Sequence, residues 1–241
     1  KAMKNASNKH TAVYETAIAY HGTMEPMNCT AYEKDGVWHL HGGNQWFSMA
    51  APTAAAALGV EADKVVCHQY YAGGGFGRRT EPDNFVLAAQ TSKFIGRPVK
   101  LLFSREQDMM FDFHRTPTYQ VIEGGEEFGR LTSMKHDVVA GWSTRRAAPG
   151  FMPDSVDKKG KVDQFSTNGS DHWYDVPNHQ VRSIPNDLSD KALPVGFLRA
   201  VAPGWTFWAV ESYMDEMAKK AGRDPLAFRL DHLTAQGKNA G

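Results

Sequence analysis

The sequence predicts a mixed α/β fold (α+β in the broad sense): twisted, mixed sheets with helices packed on them, not a doubly wound parallel sheet. Three observations predict it. Residues 28–33 and 37–41 are strand-like runs on either side of Lys34-Asp35-Gly36, a strong hairpin signal, and hairpins make antiparallel neighbours. Residues 54–58 are alanine-rich, and Phe207, Val210, Met214, Met217 and Ala221 recur at three and four, so both stretches read as helix. Strand-like and helix-like segments interleave along the chain, which argues for helices lying on sheets.

Taken in order, residues 11–20 are β-branched and aromatic in alternation, an early strand. In the hairpin that follows, His39 and His41 share a strand face; two histidines can begin a metal site, but no third ligand stands near them in sequence. Gln45-Trp46-Phe47 leads into a helix with Ser48 as N-cap, Pro52 in an early turn and Gly59 just past the end. Residues 65–71 form a strand. Asp83 or Asn84 caps a helix through Phe94, stopped by Gly96 and Pro98, with Phe85, Ala88, Ala89 and the pair Phe94/Ile95 inward. Residues 100–103 are a short strand, and Ser104 opens a capped helical turn through Asp108.

Residues 119–122 and 131–139 are strands joined through 124–129. That glycine-bearing link is acidic, so it reads as a hairpin connection and not as a phosphate cradle. Residues 143–168 are long, polar and weakly patterned, hence a functional or mobile loop. Residues 174–178 make a turn. In the 207–221 helix the Met and Trp residues are core, and Glu211 and Glu216 either brace a neighbour or face water. Gly222 ends that helix, and Asp224-Pro225 caps another through Leu233.

Composition narrows the function. Lys plus Arg and Asp plus Glu balance at 27 each, which leaves no field for nucleic acid or an anionic membrane. Cys29 and Cys67 are the two cysteines and lie far apart, which excludes a disulfide framework, a zinc ribbon or an iron–sulfur cluster within these residues. No apolar run approaches the ~18 residues of a membrane span, and no signal peptide opens the chain.

The chemistry concentrates in Tyr70-Tyr71-Ala72-Gly73-Gly74-Gly75-Phe76-Gly77-Arg78-Arg79. Glycines allow positive φ and close approach of another group to the backbone, and successive amide hydrogens form a concavity for oxygen-rich anions. Two arginines add fixed positive charge. A tight turn is the plain alternative. No Lys-Ser or Lys-Thr follows, so this is not a P-loop. Arg78 stands where a third glycine would complete a dinucleotide fingerprint.

Gly-Gly-Gly-Phe-Gly-Arg-Arg resembles the glycine loop of the molybdenum-binding subunits of the xanthine oxidase and aldehyde oxidoreductase family, and its Arg-Arg ending resembles the isoquinoline 1-oxidoreductase β-subunit branch. Other segments agree in type and order: His21-Gly22-Thr23-Met24-Glu25-Pro26-Met27-Asn28, the pair Asn44-Gln45, Phe197-Leu198-Arg199 with Pro203-Gly204, and the helix containing Glu211-Ser212-Tyr213-Met214-Asp215-Glu216. Family members are several times longer. The resemblance therefore implies that residues 1–241 are one molybdopterin-binding region, similar to the first such domain of molybdenum hydroxylases, cut from a larger subunit.

It further implies a reaction: hydroxylation of an N-heteroaromatic ring carbon or an aldehyde, with water as oxygen source and electrons leaving through an iron–sulfur partner subunit. The implied cofactor is molybdenum–molybdopterin in its cytosine dinucleotide form, with iron–sulfur clusters only in the partner and no protein ligand to the metal. Carried over by motif, Gln45 and Arg199 are the implied catalytic pair. Gln45 donates to the apical oxygen of the molybdenum, and Arg199 places a guanidinium against pterin or metal. Gly74, Gly75, Phe76, Gly77 and Arg78 complete the implied cofactor-binding set. Arg78 and Arg79 have two equal readings, pyrophosphate partners or partners of local acids.

Two departures bear on substrate. Thr80 occupies the position of the purine-recognising glutamate, with Glu81 one place later, and Val201 replaces the aromatic that sandwiches purine; a more open pocket follows. The family's catalytic glutamate, in a Gly-x-Gly-Glu setting, has no counterpart here, so residues 1–241 are expected to fold without turning over. The competing readings are a cofactor-free structural or interaction module and, against the glycine spacing, a nucleotide enzyme. Compartment stays open: exported relatives in that branch favour the periplasm over the cytoplasm.

Overall fold

A computed structural model describes Met3 and residues 6–234. In chain order its strands and helices are β1 (Asn8–Thr16), β2 (Asn28–Lys34), β3 (Val37–Gly42), α1 (Phe47–Leu58), β4 (Val65–Gln69), α2 (Asp83–Ile95), β5 (Val99–Leu102), α3 (Arg105–Met110), β6 (Thr118–Glu127), β7 (Arg130–Ala140), α4 (Ser143–Ala147), β8 (Asn178–Pro185), α5 (Asp187–Ala192), α6 (Pro203–Lys220) and α7 (Pro225–Asp231). The described residues fall into two compact units, each with its own four-stranded mixed sheet. The mixed α/β class read from the sequence is the one observed.

The unit made of residues 19–115 and 196–199 carries the sheet β4-β3-β2-β5. The β2–β3 hairpin closes through Asp35 and Gly36, both at positive φ (52° and 77°), the two-residue turn whose twist suits a hairpin. β3 and β4 run parallel, so their connection must cross over, and α1 makes that crossing. Cys29, Ala31 and Leu40 of the sheet pack against Ala54, Ala55 and Leu58 of α1 and Phe85, Ala88 and Ala89 of α2, whereas Phe94 and Ile95, read as inward, are exposed at the end of α2. Gly59 and Gly96 end these helices in the left-handed conformation, as the sequence indicates.

The starts of the two helices differ from expectation. α1 begins one residue before Ser48, with Trp46 in the cap position, no side-chain cap, and Pro52 inside the helix; the Asn44 side-chain oxygen accepts from the Trp46 amide just ahead of it (2.6 Å). Neither Asp83 nor Asn84 caps α2: Pro82 precedes it, the Asp83 carboxylate is taken by Arg78, and Asn84 donates to the Asn28 carbonyl. Ser104 does cap α3, in a full capping box with Gln107.

The unit made of residues 1–18, 116–195 and 200–241 carries the sheet β1-β6-β7-β8, antiparallel except for the β7–β8 pair. Ile122, Leu131 and Met134 of this sheet are covered by Ala209, Val210, Tyr213, Met214 and Met217 of α6. Phe207, read as part of the buried stripe, and Trp208, read as core, are partly exposed; Thr206, Ala209 and Tyr213 occupy the inner face instead. Glu211 and Glu216 act as braces: Glu211 accepts from Tyr174 and Arg229, Glu216 from Tyr14 and His10.

The 124–129 stretch is mostly strand. β6 continues to Glu127, and only Phe128 and Gly129 form the turn. Residues 143–168 contain α4 and two short 3-10 turns, fixed by Asp163, whose carboxylate accepts from Thr144 and caps the second turn.

Candidate cofactor site

β4 delivers the chain to the 70–79 loop. Gly74, Phe76 and Gly77 all have positive φ (99°, 55° and 106°). For Phe76 that conformation costs on the order of 1–2 kcal/mol, so the surroundings must hold it. They do so by backbone bonds: Arg78 N–H to the Gly75 carbonyl (2.8 Å), Thr80 N–H to Gly77 (3.1 Å), and Arg199 N–H to Phe76 (2.7 Å).

Gln45 is fastened to the same loop twice. Its amide N–H donates to the Arg79 carbonyl (2.8 Å), and its side-chain oxygen accepts from Gly77 N–H (3.0 Å). With Oε1 so used, the Nε2 hydrogens of this exposed residue remain to be donated. Two glycines are dictated by this closeness. A Cβ on Gly75 would sit 2.4 Å from Gln45 Oε1, and one on Gly77 would sit 1.6 Å from the Phe197 carbonyl oxygen.

Arg199 meets the loop from the other end of the sequence. Its amide is held by Phe76 and its carbonyl accepts from Arg115 (2.7 Å), while its guanidinium is exposed, 6.0 Å from the centre of the Phe76 ring. Gln45, Gly74, Gly75, Phe76, Gly77 and Arg199 are thus gathered at one solvent-open place. The next two residues, Ala200 and Val201, are also at positive φ (69° and 49°), a strained stretch immediately after a candidate functional arginine.

Two assignments need correcting. Arg78 is fully buried; its two terminal nitrogens pair bidentately with Asp83 (2.8 Å each) and its Nε lies 3.4 Å from Asp112, so this guanidinium serves local acids. Arg79 is buried likewise and donates to Glu25 and to the Gly74 carbonyl. The Gly77 amide, expected to face a cofactor, is turned onto Gln45. The amide hydrogens of Gly74, Gly75 and Phe76 have no partner among the described residues and can serve an outside acceptor.

Sequence reasoning missed how the loop is clamped. The Glu25 carboxylate accepts from Gly73 N–H (2.6 Å), Asn28 and Arg79, and the Glu25 amide donates to Gly73 (3.1 Å). Burial works to raise this carboxyl, yet those three donors hold it below the usual glutamate range. A buried hydrogen-bonded pair of His21 and Asp112 was missed too; an acid set between aromatics in Phe111-Asp112-Phe113 was the available signal. His39 and His41 do gain a third histidine, His68, but His41 and His68 stack at 4.1 Å with rings 9° apart. Among the described residues no group of three His, Cys, Asp or Glu is arranged to hold a metal.

No helix among the described residues is long and apolar enough to cross a membrane. The molybdopterin cofactor-binding domain family matches residues 1–233. The chain is 45% identical over 230 residues to a protein named membrane-bound aldehyde dehydrogenase [pyrroloquinoline-quinone] of Gluconacetobacter polyoxogenes, covering 95% of this chain and 30% of that one. It is 29% identical to isoquinoline 1-oxidoreductase subunit beta of Brevundimonas diminuta, over 94% of this chain and 28% of the relative. Its fold superimposes on aldehyde oxidoreductase from Desulfovibrio gigas with a TM-score of 0.82 at 21% identity, covering 99% of this chain and 25% of that structure. The chain therefore spans about 30% of the length of the curated relatives it matches. With residues 1–233 matched, the chain belongs to the molybdopterin cofactor-binding domain family.

Proposed function

We propose that residues 1–241 supply one wall of the cofactor site of a molybdenum hydroxylase, a longer enzyme that oxidises an aldehyde or an N-heteroaromatic ring carbon with water as oxygen source. The observation that carries this reading is convergence: Gln45 and Arg199 both bond to the Phe76–Gly77 backbone. The residues fit an oxygen-rich, anionic group. Free amide hydrogens at Gly74, Gly75 and Phe76 suit oxygen acceptors, and the Gln45 NH2 donates without bringing charge. Arg199 supplies a permanent cation beside them. When bound, molybdopterin would supply the two-electron redox chemistry; the chain's part is to hold and orient it.

The Arg199 guanidinium is anchored through its own backbone at both the amide and the carbonyl, so its charge is placed without a side-chain clamp. Val201, smaller than an aromatic, leaves room for substrates other than purines. We further read the cofactor as the cytosine dinucleotide form, and the electron acceptor as an iron–sulfur subunit. The name isoquinoline 1-oxidoreductase subunit beta, borne by a relative, supports a multi-subunit enzyme.

The test is substrate oxidation by the full-length enzyme from its own host. Aldehydes or N-heterocycles are oxidised with label from ¹⁸O-water appearing in the hydroxylated heterocycle, and xanthine is a poor substrate. Xanthine as the best substrate, or a heterocycle product without label, contradicts the reading. The Gluconacetobacter relative is named for a quinone. Pyrroloquinoline quinone in place of pterin in the denatured extract would therefore overturn the cofactor assignment.

A further inference from the structure

A chain of buried polar groups runs behind the 73–79 loop. The His21 amide donates to Asp112 Oδ2 (2.7 Å), His21 Nδ1 lies 2.8 Å from Asp112 Oδ1, and His21 Nε2 lies 2.8 Å from the Phe197 carbonyl oxygen. The side chains of His21 and Asp112 are 1% and 2% exposed. On the far side of Asp112 stands Arg78 Nε at 3.4 Å, and Arg78 is in turn bound by Asp83. The Phe197 carbonyl that His21 grips is the same group that leaves no room for a Cβ on Gly77. Two residues on, Arg199 donates to Phe76.

Hydrogen-bond valence fixes the state of this ring. A backbone carbonyl only accepts, and an ionised carboxylate only accepts. Asp112 is ionised: burial works against its charge, but the bonds from His21 and the nearby Arg78 hold it below the usual carboxylate range. Both ring nitrogens of His21 therefore face acceptors, and both contacts are made together only when each nitrogen carries a hydrogen. Losing either hydrogen would set a lone pair against a buried oxygen, which is costly where water cannot intervene.

We propose that His21 is a positioning residue: donating from both ring nitrogens, it ties Asp112 to the Phe197 carbonyl and so fixes Arg199 against the Phe76–Gly77 backbone. The tether stands on the hydrogen-bond geometry around an ionised Asp112; only its consequence, a fixed guanidinium at the cofactor, rests on the proposed function.

The experiment uses residues 1–241 without cofactor, so its failure is separable from failure of the molybdopterin reading. At pH 7, two-bond ¹H–¹⁵N spectra of His21 show both ring nitrogens protonated; a neutral tautomer overturns the proposal. In His21→Ala the Arg199 amide exchanges with solvent about tenfold faster or more, the loss expected when the bond anchoring it is freed, while the Leu40 amide in the sheet keeps its protection. Unchanged Arg199 protection in a folded His21→Ala protein also overturns it. If that variant unfolds, Asp112→Asn decides. An asparagine amide can donate to Nδ1, so the ring becomes singly protonated on Nε2, keeps its hold on Phe197, and leaves Arg199 protection within about threefold of wild type. A ring still doubly protonated, or a tautomer protonated on Nδ1, counts against the tether.

Discussion

Two glycine-rich stretches of this chain look alike on paper and do different work. In 73–77, Gly77 lets backbone meet backbone against the Phe197 carbonyl, Gly73 and Gly75 admit the Glu25 and Gln45 side chains, and the amide hydrogens of Gly74, Gly75 and Phe76 are left unspent. In 124–125 the glycines lie inside a continuous strand and make room for side chains. A Cβ on Gly124 would meet the Tyr213 hydroxyl at 2.3 Å, and one on Gly125 would meet Ala6 at 2.5 Å. The first stretch is held by charged groups, Glu25 with Arg79 and Arg78 with Asp83 and Asp112. The second is held by the ladder and by the apolar face of α6.

That contrast can be broken by mutation. Gly77→Ala has the largest expected effect, a loss of about 3 kcal/mol or more in urea denaturation, because the obstacle is a carbonyl that cannot rotate away and the φ is unsuited to alanine. No single side-chain truncation should rescue it. Gly124→Ala is expected to cost about 2 kcal/mol, and here rescue should work. Adding Tyr213→Phe removes the nearest clashing atom and should return about 1 kcal/mol in a double-mutant cycle. Strict additivity of that pair would contradict the side-chain account of Gly124.

Acidification sharpens the comparison. His136, in β7, is buried and pushed down to about 3 by desolvation, with His179 adding to the effect. Its folded value lies below its ordinary 6.5, so the unfolded chain binds the proton first, and stability falls as pH drops from 6.5 towards 3. Glu25, by contrast, is held below its ordinary 4.5, so its contribution is present above that pH and is lost only on further acidification. Denaturation midpoints should therefore decline already between pH 6.5 and 4.5. His136→Gln should flatten that decline, and Glu25→Gln should leave it in place. The smallest effect expected is at Ala200, where glycine relieves a positive φ: Ala200→Gly should gain about 1 kcal/mol at most, and a lowered melting temperature would speak against strain there.

What the sequence disclosed follows from how local each signal is. The Asp35-Gly36 turn, the Ser104 capping box, the Asp224 cap and the helix stops at Gly59 and Gly96 depend on neighbours a few residues away, and each was legible. The 70–79 loop stood out as a candidate because its glycines, aromatic and cations are contiguous. Gly124 was misread as a loop residue because its reason, Tyr213, arrives from a distant helix. Ser48 was misread as a cap because the helix already starts at Phe47, with Trp46 in the cap position and no side-chain cap. Arg78 kept two readings because Asp83 is close in sequence while Asp112 is not. His21 was invisible as a tether because both of its acceptors lie far along the chain.

The most direct measurement is molybdenum per protein, by elemental mass spectrometry, in the full-length enzyme carrying Gly77→Ala or Gly124→Ala beside wild type, each first shown to be folded. The account predicts that wild type and Gly124→Ala retain molybdenum and pterin together, while Gly77→Ala loses both. Equal loss in the two variants, or a wild-type protein without molybdenum, would contradict the assignment of the 73–77 backbone as the cofactor cradle.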